Sequence, residues 1–228
     1  MSADLIYTVE KTCPICQETF EATKVRSKLK AVRHDSDFNV VYEQINPLYY
    51  AIWFCPKCGY AAQDTVFSEI YERHADKIKE FLKTCQINID FPGTRSREQA
   101  ILLFKLAIFY SDLIAAKDSR LGGLYLRLAW LYREAEDTKK EISALEKALE
   151  HYENAMTKEN FPIGNMNEVT VEYIVAQLQY RTGKEEKAYS SLSRLLSRAQ
   201  IKSEKRISEL ARDTWNEIKS RRKEAESS

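Results

Sequence analysis

Apolar positions follow two kinds of spacing along the 228 residues. Up to about residue 90 the hydrophobic segments are short and mixed. Beyond it, stripes at three-and-four spacing run almost to the C-terminus, the signature of helices with one buried face. The first such stripe lies just before this change. It carries Phe67, Ile70, Tyr71, His74, Ile78, Phe81, Leu82 and Cys85, with Asp64 as its expected cap.

The segment 88–94 contains Pro92-Gly93 and predicts a hinge. After it, Ser96-Arg97-Glu98-Gln99 reads as a capping box opening a helix with Ala100, Leu103, Phe104, Ala107, Tyr110 and Ile114. A second helix is expected over 121–135. Thr138-Lys139-Lys140-Glu141 reads as another capping box before Ile142, Leu145, Ala148, Leu149 and Tyr152. A loop over 157–167 contains Phe161-Pro162-Ile163-Gly164. Helices follow over 169–181, around Ala188, Leu192, Leu195 and Leu196, and around Ile207, Leu210, Ala211, Thr214 and Ile218. The charged tail beyond Arg221 is expected to fray.

The middle helices look paired. Tyr173 to Tyr180, then Gly183, Ala188 and Leu192, follows the tetratricopeptide arrangement of a small residue in one helix, a turn glycine and an alanine in the next. Leu128, Ala129, Tyr132, Ala148 and Leu149 match less well. The step from Ala129 to Ala176 exceeds the usual repeat of about 34 residues. The repeats are therefore read as irregular, and a generic helical bundle is the plainer alternative.

Composition narrows the class. Hydrophobic residues make up 44% and charged residues 30%, and the formal net charge is +1. That balance provides no bulk field towards nucleic acid or membrane. Only 6 glycines and 5 prolines favour helices over a turn-rich β architecture. Residues 1–10 lack a basic region followed by an apolar run, and the apolar stretch 101–110 is too short to span a bilayer. A cytoplasmic location is expected.

The strongest chemical signal is Cys13-Pro-Ile-Cys16 with Cys55-Pro-Lys-Cys58-Gly59. Each knuckle places two thiolates on a tight turn, and the two together supply four ligands for tetrahedral zinc. One structural zinc ion held by Cys13, Cys16, Cys55 and Cys58 is the preferred reading. Four protein ligands leave no open position for activating water. Thiol–disulfide chemistry or an iron–sulfur centre is the rival, but a redox CxxC commonly acts alone on a βαβ scaffold, which nothing here suggests. The segment 17–54 exceeds the about 15–20 residues usual between such pairs, so it must fold on the ribbon. Tyr49 to Phe54 is expected to be the strand leading into the second knuckle, with strands over 19–31 after the first. His74 reads as a core or boundary residue, His34 as solvent-facing and Cys85 as a small buried apolar group.

Lys24, Arg26, Lys28 and Lys30 alternate with Val25, Ser27 and Leu29. On a strand they would share one face and offer a contact to phosphate or a partner. A solvated outer face is the preferred alternative. Asp35 and Asp37 form a small acidic pair, of the kind that caps turns or pairs with arginine. No G-x-S-x-G, phosphate-binding glycine loop or HExxH occurs, so a binding protein is expected rather than an enzyme.

These residues resemble the bacterial proteins grouped as domain-of-unknown-function family 2225. The resemblance runs through Cys13 to Cys16, Val25-Arg26-Ser27, Asp35 to Phe38, Asn46 to Tyr50, Cys55 to Ala61, Leu126 to Arg133 and Phe161 to Ile163. Gln17 departs from the glycine often seen after the first CPxC. The resemblance implies a zinc-ribbon-like front and a tetratricopeptide-like back, with no established activity.

The expected fold class is therefore α+β and mostly α: a small zinc-ribbon-like β module followed by a tetratricopeptide-like helical repeat array. The expected divisions are a module over 1–62, a connecting helix and hinge over 63–90, a helical domain over 91–220 and a tail over 221–228. The expected function is a cytoplasmic, zinc-binding adaptor or scaffold that engages a protein or peptide through its helices. The alternatives are a nucleic-acid-associated ribbon using residues 24–30 and a thiol-based redox switch.

Overall fold

A computed structural model describes residues 5–84, 91 and 93–226. Among these, 59% helix and small antiparallel strand pairs give the expected α+β, mostly α class. Cys85 and most of the expected hinge, residues 88–90 and 92, lie outside the described residues. The chain divides into two compact units. The first comprises Met1–His34, Val40–Ala116 and Arg127–Glu141; the second comprises Asp35–Asn39, Lys117–Leu126 and Ile142–Ser228.

In the first unit, β1 (Ile6–Thr12) pairs with β2 (Thr19–Val25), β3 (Ala31–His34) with β4 (Val40–Tyr42), and β5 (Ile52–Phe54) with β6 (Ala61–Gln63), all antiparallel. The first and third pairs are hairpins closed by the two cysteine knuckles. The strand expected over 49–54 is shorter, because Pro47–Tyr50 forms a 3-10 turn. Asn46 sets that turn by accepting from the Leu48 amide at 3.0 Å, and Pro47 supplies the fixed φ of its first position.

Helices α1 (Glu72–Thr84) and α2 (Arg97–Leu113) pack together in this unit. The Ser96–Gln99 capping box is present in both directions. The start expected for α1 at Asp64 is corrected to Glu72. Phe67 is fully buried among the rings of Phe20, Trp53 and Tyr60, with centroids 5.5, 5.8 and 5.0 Å away. That aromatic cluster holds residues 64–68 in turns instead of a helix. Helix α2 also packs on β5 and β6, where the buried Tyr110 hydroxyl donates to the Gly59 carbonyl at 3.0 Å. Packing thus groups α2 with the strands.

Helices α3 (Asp118–Glu134) and α4 (Thr138–Lys158) each contribute residues to both units. The expected cap of α4 shifts by one residue. Asp137, not Thr138, accepts from the Lys140 amide at 3.1 Å, while Glu141 pairs with Arg133 at 2.7 Å instead of reaching back. Within the second unit, Gly122 lets α3 and α4 approach closely. A Cβ there would sit 3.1 Å from the Tyr152 ring.

The second unit is completed by α5 (Glu168–Arg181), α6 (Glu185–Ser197) and α7 (Lys205–Glu226). Its core contains Val169, Tyr173, Ala176, Ala188, Leu192 and Leu195. Ala176 and Ala188 are fully buried, as the small-residue pattern predicts. The tail expected to fray from residue 221 is helical to Glu226. Arg221 pairs with Glu217 at 2.7 Å and covers the Tyr180 ring; Arg222 pairs with Glu186 and covers Tyr189. These stems hold the last turns by packing as well as charge. No helix among the described residues is long and apolar enough to cross a membrane.

Candidate functional site

The two knuckles have the same backbone plan. The Cys13 amide donates to the Glu18 carbonyl at 2.8 Å and the Gln17 amide to the Cys13 carbonyl at 3.0 Å. In the second, the Cys55 amide donates to the Tyr60 carbonyl at 2.9 Å and the Gly59 amide to the Cys55 carbonyl at 2.8 Å. The residue after each second cysteine is left-handed: Gln17 at φ 64° and Gly59 at φ 82°. A side chain there costs about 1–2 kcal/mol relative to a right-handed backbone. Gln17 offsets part of it by donating to the Pro14 carbonyl at 3.2 Å.

These turns bring Cys13, Cys16, Cys55 and Cys58 together, with all four sulfurs within 4.8 Å of one another. Two cross-knuckle pairs, Cys13–Cys58 and Cys16–Cys55, lie at 3.6 Å. Disulfide sulfurs would be about 2.05 Å apart, so none of the four is in a disulfide. Four sulfurs each about 2.3 Å from one tetrahedral ion sit about 3.8 Å apart, so the spacing fits a single ion. Cys13 and Cys55 are buried, whereas Cys16 is exposed.

Hydrogen bonds from the Cys13 and then the Cys58 thiols push Cys55 well below the ordinary thiol range. Cys58 is pushed up by its hydrogen bonds to Cys13 and Cys55, and Cys13 by its bond to Cys55. Cys55 is thus easier to ionise than Cys13 or Cys58. A dication would favour ionisation of the rest. Neither His34 nor His74 belongs to the cluster.

Arg95, which the sequence reading missed, fixes the chain entering the second knuckle. Its Nη1 donates to the carbonyls of Tyr49 at 3.2 Å and Ile52 at 2.7 Å, and its amide takes the Tyr50 hydroxyl oxygen at 3.0 Å. Burial pushes the guanidinium down to about 10. Nearby, the Tyr49 hydroxyl and the Asn46 amide both donate to the Glu134 carboxylate, at 2.5 and 2.7 Å. An arginine beside the hinge carries no pattern that marks it beforehand.

The basic strand is corrected. β2 ends at Val25, so Arg26, Lys28 and Lys30 lie beyond it and the four cations do not share a strand face. Lys24 is in β2, in register with the buried Phe20 and Ala22, and its Nζ lies 5.3 Å from the Trp53 ring centre. Lys11 approaches the same ring at 5.1 Å, Arg26 covers Tyr7, and Lys30 pairs with Glu43 at 3.0 Å. The apolar demand of Trp53 turned Lys24 inward.

A second constellation sits in the helical unit. Asp35–Asn39, the tip between β3 and β4, groups with those helices. Asp37 is only 2% exposed, and its carboxylate lies 3.2 Å from Arg181 Nε. The Tyr173 hydroxyl donates to the Ser36 carbonyl at 2.8 Å, and the Ser36 hydroxyl donates to Gln177 Oε1 at 3.0 Å. Phe38, left-handed at φ 70°, lays its ring 5.5 Å from that of Tyr173. Asp37 therefore pairs with arginine, one of its two expected roles. The signal for its partner was polar: Gln177 and Arg181 follow Tyr173 at four-residue steps on a helix otherwise rich in buried apolar residues.

A family model described as an uncharacterised protein conserved in bacteria, DUF2225, matches residues 6–218. The chain belongs to this family. No curated protein and no solved structure matches it. The match spans both knuckles, the 35–39 tip and helices α1 to α6, so the two constellations lie in the DUF2225 region.

Two substitutions test these placements. Cys55→Ser should lower the bound metal of the purified protein from about one ion per chain to a small fraction, measured by plasma mass spectrometry; full retention would contradict the cage. Arg95→Met should destabilise the protein by about 2–4 kcal/mol, because two carbonyls lose a charged donor. Urea denaturation reads this, and a change below about 0.5 kcal/mol would remove Arg95 from its positioning role.

Proposed function

We propose that this DUF2225 protein is a zinc-binding bacterial adaptor or scaffold, working in the cytoplasm, whose helical unit engages a protein or peptide partner. The observation that carries the reading is the docked tip. Helix α5 already holds a turn, 36–38, through a carbonyl contact, a hydroxyl contact, an ion pair and a ring contact. Those are the contacts by which helical-repeat surfaces take peptides.

Zinc is the ion this reading assigns. Thiolates select soft or borderline metals, and the sulfur spacing suits one ion better than a cluster of irons, which would hold the sulfurs further apart. Four ligands close the shell, so the metal stabilises the first unit and performs no chemistry. The helices also offer an open groove of about 450 Å³ between α6 and α7, lined by Leu196, Trp215, Arg212, Ser193, Ser197 and Asn216. The irregular tetratricopeptide-like pairing of α5 and α6 supports the same role. The nucleic-acid alternative is less favoured, since the cations at 24–30 do not share one strand face.

Site-specific photo-crosslinking in native cells tests the reading. A benzophenone side chain at Ser193 or Asn216 should give a discrete protein adduct, and one at exposed Lys57 should not. Adducts from Lys57 alone, or none from either helical position, would overturn it.

A further inference from the structure

The 35–39 tip packs on the helical core through Phe38, and specific side-chain contacts select its features. Its contacts come from three successive turns of one helix face: Tyr173, Gln177 and Arg181. Each takes a different feature of the segment. Tyr173 takes the Ser36 carbonyl and meets the Phe38 ring at a tilt, Gln177 takes the Ser36 hydroxyl, and Arg181 takes both that hydroxyl oxygen, at 3.2 Å, and the Asp37 carboxylate. The reading side chains are themselves fixed. Gln177 Nε2 donates to Thr214 Oγ1 of α7 at 2.6 Å, which leaves its Oε1 to accept from Ser36.

The tip also keeps its own fold. The Asp35 amide donates to the Asn39 carbonyl at 2.8 Å, the Phe38 amide donates to the Asp35 carbonyl at 3.1 Å, and Asn39 Nδ2 donates to the Asp35 carboxylate at 3.0 Å. A turn that closes on itself and offers a carbonyl, a hydroxyl, a carboxylate and a ring is a pre-organised peptide ligand. The strand leading into it, β3, is exposed along its length.

We propose that the Tyr173–Gln177–Arg181 face of α5 is a specific peptide-binding site for a hydroxyl–aspartate–aromatic turn. The chain's own Ser36-Asp37-Phe38 occupies that site in cis, and a matching turn of a partner protein takes it in trans. The proposal rests on the adaptor reading and names the chemistry of its partner: serine or threonine, then aspartate, then phenylalanine or tyrosine. The arginine favours the carboxylate, because a neutral amide in its place would leave the half-buried guanidinium without its counter-charge. The cis turn sets a threshold. As a tethered ligand its effective concentration is of the order of millimolar, so only a partner that binds well, or that meets an undocked tip, displaces it.

The test uses the full chain and a defined probe. A fluorescent cyclic peptide of the sequence Arg-His-Asp-Ser-Asp-Phe-Asn-Val, residues 33–40, is titrated into wild type and into Asp37→Ser/Phe38→Gly. The peptide should bind the tip variant at least tenfold more tightly than wild type. Binding should fall at least tenfold when Arg181→Ala is added, or when the peptide's second aspartate is replaced by asparagine. Equal binding to wild type and tip variant, or none to a folded tip variant, overturns the proposal. Hydrogen exchange on Arg181→Ala alone is the second measurement. Amides 35–39 should exchange faster while those of α5 to α7 stay protected. If the helices lose protection together with the tip, or the tip variant unfolds, the tip is core and the proposal is overturned. Photo-crosslinks at Ser193 or Asn216 would still stand in that case, so the adaptor reading fails or survives separately.

Discussion

Two distant turns of chain, 13–16 and 55–58, meet in the first unit, and we propose that ligation of one metal ion by their four sulfurs holds them together. The 39-residue separation between Cys16 and Cys55 makes closure cost about 3 kcal/mol or more in chain entropy. Short strands of three residues, such as β5 and β6, add little against that cost. A four-thiolate zinc site contributes about 10–16 kcal/mol, several times the closure term. The aromatic cluster around Phe67 and the seat of α2 on β5 and β6 are built on this closed frame. On the proposed reading, a metal in this cage is an element of the fold.

In the second unit, whose helices are held by an apolar core, one buried charge fixes the 35–39 turn. Asp37 is 2% exposed and is paired with Arg181. Breaking a buried pair from one side costs about 3–5 kcal/mol, although an apolar replacement of both partners can be neutral. The pair therefore specifies where the 35–39 turn sits more than it adds net stability. The Phe38 and Tyr173 rings supply the apolar part of the contact. This division matches how peptide sites work, with a ring for affinity and a charge for choice.

Much of this was legible in the sequence because it is local. CPxC knuckles, the Ser96–Gln99 box and the stripes of α2, α5 and α6 are patterns within a few residues of one another. What escaped was set by distant partners. Phe67 was drawn into an aromatic cluster with residues 20, 53 and 60, and α1 began eight residues late. Trp53 took Lys24 out of an expected cationic face. Tyr180 and Tyr189 kept the C-terminal arginines in a helix expected to fray. The four ligands were readable as a motif, but Arg95, which braces the entrance to the second knuckle, was not, since a lone arginine has no pattern.

A closed, mononuclear thiolate site holding the first unit together has a distinct spectroscopic signature. X-ray absorption at the metal edge of the protein as purified tests it most directly. The account predicts a zinc edge with four sulfur neighbours at about 2.3 Å and no second-metal scattering. Nitrogen or oxygen ligands in the first shell, or a metal–metal distance, would contradict it.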